Sequence, residues 1–102
     1  MHFVLLAAGK SSRIYNKIKK HKFLNNIKNK PIINHLIDNS MKSNINNISV
    51  ITGFKSEILK KKIKKKNINY IYNKYFSKYE MVYSIYLALK KINDDILISY
   101  SD

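Results

Sequence analysis

The sequence predicts an α/β fold in which a mostly parallel sheet is covered by helices. Three observations support this class: short apolar runs typical of buried strands, segments between them with apolar residues at helical spacing, and short connections. Strands and helices that alternate in this way form right-handed βαβ units. At 102 residues the chain has the length of one small domain and contains no internal repeat or linker, so residues 1–102 are expected to belong to a single domain.

Four strands are predicted from apolar and β-branched runs. Residues 2–7 form a nearly unbroken apolar run, which is typical of a strand covered on both faces in a parallel sheet. Residues 48–52 are rich in β-branched side chains and predict the second strand. Residues 69–72 and 96–99 predict the third and fourth strands, and a glycine follows each of the first two strands.

Three helices are predicted in the segments that follow these strands. Pro31 suits the first position of a helix over residues 31–43, and Ser56 suits the N-cap of the second helix. The third helix covers residues 79–91. The apolar stripes expected to face the core are Ile33, Leu36, Ile37 and Ser40 or Met41 in the first helix, Ile58, Leu59 and Ile63 in the second, and Met81, Ile85, Ala88 and Ile92 in the third. Tyr83, like Met81, is expected in the core rather than in a binding pocket.

The formal net charge of +14 has two explanations at this stage. A strongly basic surface attracts phosphate groups of nucleotides, nucleic acid or anionic lipid. However, all of the basic residues except Arg13 are lysine, and lysine, asparagine, isoleucine and tyrosine are all abundant. Because these four residue types have AT-rich codons, a biased genome would produce the same excess, and the six lysines after Leu59 are expected to form a solvated helix face.

The chain contains no cysteine, which excludes a disulfide framework and a thiolate metal site and fits a reducing compartment. The apolar run near the N-terminus is too short to span a membrane and lacks the basic flank of a signal peptide. We therefore expect a cytoplasmic protein that is neither exported nor inserted into a membrane.

The segment LLAAGKSSR, residues 5–13, places a glycine turn directly after the first strand. It is not a P-loop, because Val4 stands where that motif requires its first glycine. It is not a dinucleotide fingerprint either, since that motif needs three clustered glycines and the chain has 2 in all. Residues 10–29 are polar and lysine-rich and are predicted to be mostly loop, with room for one helical turn around residues 14–18.

A turn at this place lies at the carboxyl edge of a parallel sheet, where the ligands of α/β folds bind. Gly9 lets backbone N–H groups approach a phosphate, and the hydroxyls of Ser11 and Ser12 add neutral donors. Arg13 offers a planar fork for a phosphate, and Lys22 offers a point charge that can bridge two phosphoryl groups. A plain turn from strand to loop explains the same residues, so both interpretations remain open from the residues alone.

Six segments together resemble the nucleotidyltransferases of the MobA-like and sugar-phosphate NTP transferase group. LAAGKSSRI, HKFL and NKPII are similar to the family's LAAG, PK-x-L and GKP motifs. VITGFKSEILKKKI, YNKYFSKYEMVYSIYLAL and DDILISYSD continue the resemblance in the expected order. The last two are most similar to the phosphocholine and aminoethylphosphonate cytidylyltransferases. The resemblance covers nearly the whole chain.

The resemblance implies a Rossmann-like three-layer α/β/α fold with a mostly parallel sheet. Residues 1–102 would be the N-terminal, nucleotide-binding half of a nucleotidyltransferase domain, because a complete enzyme of this family is much longer. The implied reaction transfers CMP from CTP to a small phosphorylated or phosphonate acceptor, releases pyrophosphate and uses Mg²⁺. No membrane or nucleic-acid partner is implied.

The resemblance also assigns roles to individual residues. The backbone around Ala8 would contact the base and ribose, and residues 11–13 would wrap the triphosphate. Lys22 would stabilise the charge that develops as the α-phosphorus is attacked, and the carboxylate of Asp102 would bind Mg²⁺. Ser84 and the turn around Asn73 would lie near the base pocket. In full, the implied catalytic residues are Arg13 and Lys22, the nucleotide-binding residues are Ala7, Ala8, Gly9, Ser11, Ser12, Arg13 and Ser84, and the metal ligand is Asp102.

Two positions depart from the family pattern: His21 stands in place of proline, and Glu80 stands in place of asparagine. Two alternative functions also remain, namely a catalytically inactive remnant that still binds nucleotide and a basic nucleic-acid-binding module. The second ranks lower because the tyrosines are not expected to form a stacking platform. Finally, an exposed strand at residues 96–99 would favour self-association, so a homo-oligomer is a further expectation.

Overall fold

The computed structural model describes residues 1–9, 22–63 and 67–100. In that part of the chain a 3-10 turn at Lys22–Leu24 precedes a small hairpin, and strands and helices then alternate. The elements in chain order are β1 His2–Ala7, β2 Asn26–Ile27, β3 Lys30–Pro31, α1 Ile32–Lys42, β4 Asn47–Thr52, α2 Ser56–Lys62, β5 Ile68–Tyr72, α3 Glu80–Lys91 and β6 Ile96–Tyr100.

The main sheet of the described residues has four strands in the order β5-β4-β1-β6, and all of its pairs are parallel. The predicted first strand is one of the two central strands, and Val4 and Leu5 in it are completely buried. The register pairs Ala7 with Thr52 and Leu6 with Tyr100, so β1, β4 and β6 end at the same edge. The predicted α/β class with a parallel sheet is confirmed.

Helices cover both faces of this sheet. On one face, Phe3, Leu5 and Ala7 belong to a buried cluster with residues of the 3-10 turn, α1 and α2. On the other face, Val4 and Leu6 belong to a second cluster that includes Ala88 of α3. Alternate residues of β1 thus point to opposite helical layers, as expected for a strand in a three-layer fold.

The helix boundaries agree with the predictions to within a residue or two, but three local expectations were wrong. Ser56 is the first residue of α2 and not its N-cap; Lys55 occupies the cap position with a left-handed φ of 52°. Met81 of α3 and Ile58 of α2 were expected to face the core, but they are 40% and 45% exposed. The buried side of α3 is centred on Ser84, Leu87 and Ala88, and Leu59 is the residue that α2 buries.

The hairpin formed by β2 and β3 begins in the segment 10–29 that was predicted to be loop, and it ends at Pro31, which was predicted to begin the first helix. Lys28 and Asn29 connect its strands with positive φ values of 52° and 63°, the conformation of the tightest hairpin turns. The Nε2 atom of His35 is 2.6 Å from the carbonyl oxygen of Ile27, which ties the hairpin to α1. The helical turn expected around residues 14–18 lies outside the described residues.

Candidate functional site at the carboxyl edge of the sheet

Three neighbouring strands present small or polar residues where they end. Ala7 ends β1 and Ala8 follows it, Thr52 ends β4, and Asn73 follows β5 directly. These four residues are completely buried, and Gly9 is buried as well. Crevices at the carboxyl ends of parallel strands bind the ligands of α/β folds, so this edge is the candidate functional site.

Gly53 holds the turn after β1 against the turn after β4. The backbone N–H of Phe54 donates a hydrogen bond of 2.8 Å to the carbonyl oxygen of Ala8. A Cβ atom at Gly53 would lie 2.8 Å from that same oxygen and 2.5 Å from the Cβ atom of Phe76. Because neither distance accommodates a carbon atom, glycine is the residue that allows these two turns and Phe76 to pack this closely.

Asn73 is the centre of a hydrogen-bond network that fixes the turn after β5. Its Nδ2 atom donates to the Oγ of Ser84 at 3.0 Å and to the carbonyl oxygen of Tyr79 at 3.1 Å. Its Oδ1 accepts from the N–H of Tyr75 at 2.8 Å, and its own N–H donates to the carbonyl oxygen of Thr52 at 2.7 Å. The β5–α3 turn is therefore bound both to α3 and to the end of β4.

Thr52 contributes a buried polar atom to the same edge. Its Oγ1 is buried and finds no hydrogen-bond partner among the described residues. A buried hydroxyl without a partner is unfavourable by roughly 1–3 kcal/mol. By the alternation along β4, Thr52 lies on the same face as Ile48 and Val50, which belong to the cluster that also contains Ala7 and Phe23. The hydroxyl therefore lies on the side of the sheet that α1 and α2 cover.

The structure places only some of the residues that the sequence analysis assigned. Ala7, Ala8 and Gly9 lie together at the carboxyl edge, as expected for a strand-to-turn junction. Ser84 is brought into contact with Asn73, but its side chain is completely buried and takes part in the turn network. Residues 11–13, Asp102 and the side chain of Lys22 lie outside the described residues.

The backbone position of Lys22 is nevertheless informative. Lys22 begins the 3-10 turn whose Phe23 is completely buried and whose Leu24 is 7% exposed. Both belong to the cluster that contains Ala7 at the end of β1. Two buried apolar residues thus anchor the segment that carries the predicted catalytic lysine on the α1 and α2 side of the sheet.

A cavity of about 530 Å³ opens beside the turn after β4. Lys55 and Lys60 contribute positive charge to its wall, and the Oε1 of Glu57, whose side chain is 82% exposed, lies 4.0 Å from the Nζ of Lys60. The cavity is suited to an anionic group more than to a cation. It is lined by Gly53, Lys55, Ser56, Glu57, Ile58, Lys60 and Tyr72.

The predicted metal ligand of this edge, Asp102, lies outside the described residues. No group of three His, Asp or Glu residues within the described ranges could hold a metal ion. The geometry of β6 is compatible with the predicted ligand, because Tyr100 pairs with Leu6 and the strand therefore ends at the same edge as β1. Asp102 comes shortly after Tyr100, and its place in a magnesium site stays a prediction.

Sequence reasoning missed three features of this edge: the close approach at Gly53, the central role of Asn73 in its turn, and the buried hydroxyl of Thr52. The first two share a signal, namely a glycine or an asparagine directly after a predicted strand. Such residues often adopt special turn geometries or form hydrogen bonds to the backbone of the turn. Thr52 gave no signal, because a threonine at the end of a strand is common.

The helices of the described residues include none with both the length and the apolar character needed to cross a membrane.

Comparison with known proteins agrees with this architecture. Residues 3–102 match the MobA-like NTP transferase domain. The whole chain is 34% identical over 110 aligned positions to a CTP:phosphoglutamine cytidylyltransferase of Campylobacter jejuni, and covers 44% of that relative. A bifunctional protein GlmU of Clostridium botulinum is 37% identical over 67 positions, which are 66% of this chain and 14% of the relative. The chain therefore spans less than half the length of these curated relatives.

Proposed function

The chain belongs to the MobA-like NTP transferase family, and on that premise we propose that it is the nucleotide-binding part of a cytidylyltransferase. The observation that carries the proposal is the pair of glycine turns at the carboxyl edge. Gly9 follows the central strand β1, and Gly53 packs the next turn directly against Ala8. The name of the Campylobacter relative supports CTP as the nucleotide and a phosphorylated compound as the acceptor.

In the proposed reaction, an oxygen of the acceptor's phosphate or phosphonate attacks the α-phosphorus of CTP. A new P–O bond to the acceptor forms, the bond from the α-phosphorus to the bridging oxygen breaks, and pyrophosphate leaves with that electron pair. The protein contributes mainly by orienting the two phosphates and neutralising charge. Mg²⁺, when bound, would supply positive charge that offsets the charge of the phosphates, and Asp102 is the residue we propose as its ligand.

In this proposal, different residues around the turn after β1 would contact the nucleoside and the phosphates of CTP. The backbone at Ala7, Ala8 and Gly9 would approach the nucleoside, since small residues leave room for it. Ser11, Ser12 and Arg13 would donate hydrogen bonds to the triphosphate. Lys22 would place its ammonium near the α-phosphate, and its segment is suited to this role because Phe23 and Leu24 are buried behind it. Ser84 would act indirectly, by holding the turn at Asn73.

Isothermal titration calorimetry of the 102-residue chain with CTP and Mg²⁺ tests the binding half of this proposal. We expect binding of CTP that is stronger than binding of ATP and that weakens by tenfold or so, about 1.4 kcal/mol, in Lys22→Ala. Lys61→Ala removes an exposed lysine of α2 and is the matched control, for which CTP binding should be unchanged. Equal weakening in both variants would show that the bulk positive charge, and not Lys22, binds the nucleotide.

A turnover assay distinguishes the proposal from the alternative of an inactive nucleotide-binding remnant. Release of pyrophosphate from CTP in the presence of a phosphorylated acceptor, lost in Lys22→Ala and in Asp102→Ala, supports the enzyme. Binding of CTP without release of pyrophosphate supports the remnant. In either case we propose a cytoplasmic location.

A further inference from the structure

The outer side of α3 carries an exposed apolar surface that the carboxyl edge does not explain. Six of the twelve large apolar side chains that are exposed among the described residues lie on α3 or in the turn before it. Val82 is 77% exposed and Leu89 is 63% exposed, which is unusual for aliphatic residues on a helix. Together with four tyrosines they form what we call the tyrosine face: Tyr75, Tyr79, Val82, Tyr83, Tyr86 and Leu89.

The spacing of this surface matches the requirement for contact with a second helix. Tyr79 at the N-cap of α3 and Val82, Tyr86 and Leu89 within the helix recur at i, i+3, i+7 and i+10, so they form one stripe along this element. The opposite side of α3 buries Ser84, Leu87 and Ala88 against the protein. A stripe of this spacing is about 15 Å long and resembles the apolar seam through which two helices associate.

The tyrosines are held in place by contacts with one another. The rings of Tyr75 and Tyr83 have centroids 4.9 Å apart and lie at 87° to each other. Tyr83 also contacts Tyr86 at 5.5 Å, and Tyr75 contacts Tyr79 at 6.3 Å. Rings fixed in this way lose little conformational entropy when a partner binds, which favours their use in an interface.

Lysines surround both ends of the tyrosine face. The Nζ of Lys74 lies 5.1 Å from the centroid of Tyr75, and the Nζ of Lys90 lies 5.8 Å from that of Tyr86. Lys78 and Lys91 are also exposed near the two ends. The apolar stripe therefore has a basic rim at each end, and it complements a partner whose own apolar stripe is flanked by carboxylates.

We propose that the tyrosine face binds an acidic amphipathic helix of another protein. A second copy of this chain fits poorly, because each copy carries a net charge of +14 and would bring lysine rims together. Single-stranded nucleic acid also fits less well. The edge-to-face contacts of Tyr83 and the lysines over Tyr75 and Tyr86 occupy ring surfaces on which bases would stack.

A designed peptide of known sequence tests this proposal. The probe is a fluorescently labelled helical peptide with leucines at i, i+3, i+7 and i+10 and glutamates on both sides of that stripe. A control peptide has the same composition with the leucines distributed around the helix. We expect the patterned peptide to bind the 102-residue chain in fluorescence anisotropy, to bind at least about tenfold more tightly than the control peptide, and to weaken as salt is added.

Substitutions on the protein then locate the binding surface. The double variant Val82→Glu/Leu89→Glu is expected to weaken binding of the patterned peptide by roughly tenfold or more. Both residues are exposed, so the variant should fold, and its circular dichroism and melting temperature verify this. Ile27→Glu is the matched control, since Ile27 is 51% exposed on the hairpin and should not affect binding. Leu89→Glu alone provides a second, milder variant.

Other outcomes would overturn the proposal. Equal affinity for the control peptide, or equal loss in Ile27→Glu, would show that the basic charge alone attracts the probe. Tight binding of an oligothymidylate or of phosphatidylserine vesicles, lost in Val82→Glu/Leu89→Glu, would assign the face to nucleic acid or to a membrane. Concentration-dependent dimerisation abolished by the same variant would assign it to a second copy of this chain.

Discussion

Replacement of Gly53 by alanine should destabilise the protein and weaken nucleotide binding together. The added Cβ would lie 2.5 Å from the Cβ of Phe76 and 2.8 Å from the carbonyl oxygen of Ala8. The carbonyl oxygen of Ala8 is a backbone atom, so it cannot rotate away as the end of a flexible side chain can. Overpacking of this kind usually costs about 1–3 kcal/mol. Because 1 kcal/mol shifts the melting temperature of such a domain by roughly 4–8 °C, we expect a fall of about 10 °C.

Gly53→Ala should also weaken CTP binding, because the atoms that it displaces lie at the candidate nucleotide site. Relief of the contact with Ala8 would move the turn at Gly9 away from the turn after β4 and lengthen the 2.8 Å bond from Phe54. Calorimetry with CTP should therefore show weaker binding at a temperature where the variant is still folded. Thermal and urea denaturation followed by circular dichroism measure the loss of stability. Ser77→Ala, at an exposed position in the turn near Phe76, is the control and should change stability by less than about 0.5 kcal/mol.

A double-mutant cycle separates the contact with the Phe76 side chain from the contact with the carbonyl oxygen of Ala8. Phe76→Gly removes both of the Phe76 contacts but leaves the oxygen of Ala8 in place. In that background Gly53→Ala should cost less than in the natural chain, by at least about 0.5 kcal/mol, and some cost should remain. If Gly53→Ala leaves the melting temperature unchanged, or costs the same in both backgrounds, the close packing of these turns is not what requires glycine.

Three further predictions concern other parts of the chain. Asn73→Ala should lower the free energy of unfolding by roughly 1–3 kcal/mol in urea denaturation, because it leaves the buried Ser84 hydroxyl without its amide partner; an unchanged midpoint would contradict this. Burial lowers the pKa of His2 below its usual 6.5, so the unfolded chain binds more protons and stability should fall as the pH drops below about 6.5. This pH dependence should be smaller in His2→Gln, and an identical pH profile would refute the assignment. Leu97→Lys, on the edge strand β6 where Leu97 is 46% exposed, should reduce self-association in analytical ultracentrifugation; undiminished association would place the contact elsewhere.

The sequence predicted those features that local patterns determine. The apolar run of β1 predicted a strand buried on both faces, and Val4 and Leu5 are completely buried. The stripe of Ile33 and Ile37 predicted the buried side of α1, and both residues are completely buried. Each of these predictions depends on a periodicity that can be read within a few residues.

The features that were missed depend on contacts between distant residues or on unusual turn residues. The β2–β3 hairpin turns at Lys28 and Asn29, where the usual signal would be a glycine, so the segment resembled a loop. The packing of Gly53 against Phe76 joins two turns separated by the whole of α2 and β5. The stripe predicted for α3 was wrong at Met81, because Val82, Tyr86 and Leu89 make the opposite side of that helix apolar too, and the pattern cannot show which side is buried.

Asn73 connects the candidate nucleotide site with the tyrosine face. Its side chain accepts a hydrogen bond from the N–H of Tyr75 and donates one to the carbonyl oxygen of Tyr79, two residues of that face. Its backbone N–H binds the end of β4 at the carboxyl edge. Loss of Asn73 would therefore disturb both surfaces and could not distinguish their functions. Gly53 packs only at the edge, and Val82 and Leu89 are exposed only on the helix. Because these substitutions act on one surface each, nucleotide binding and partner binding can be tested, and can fail, independently.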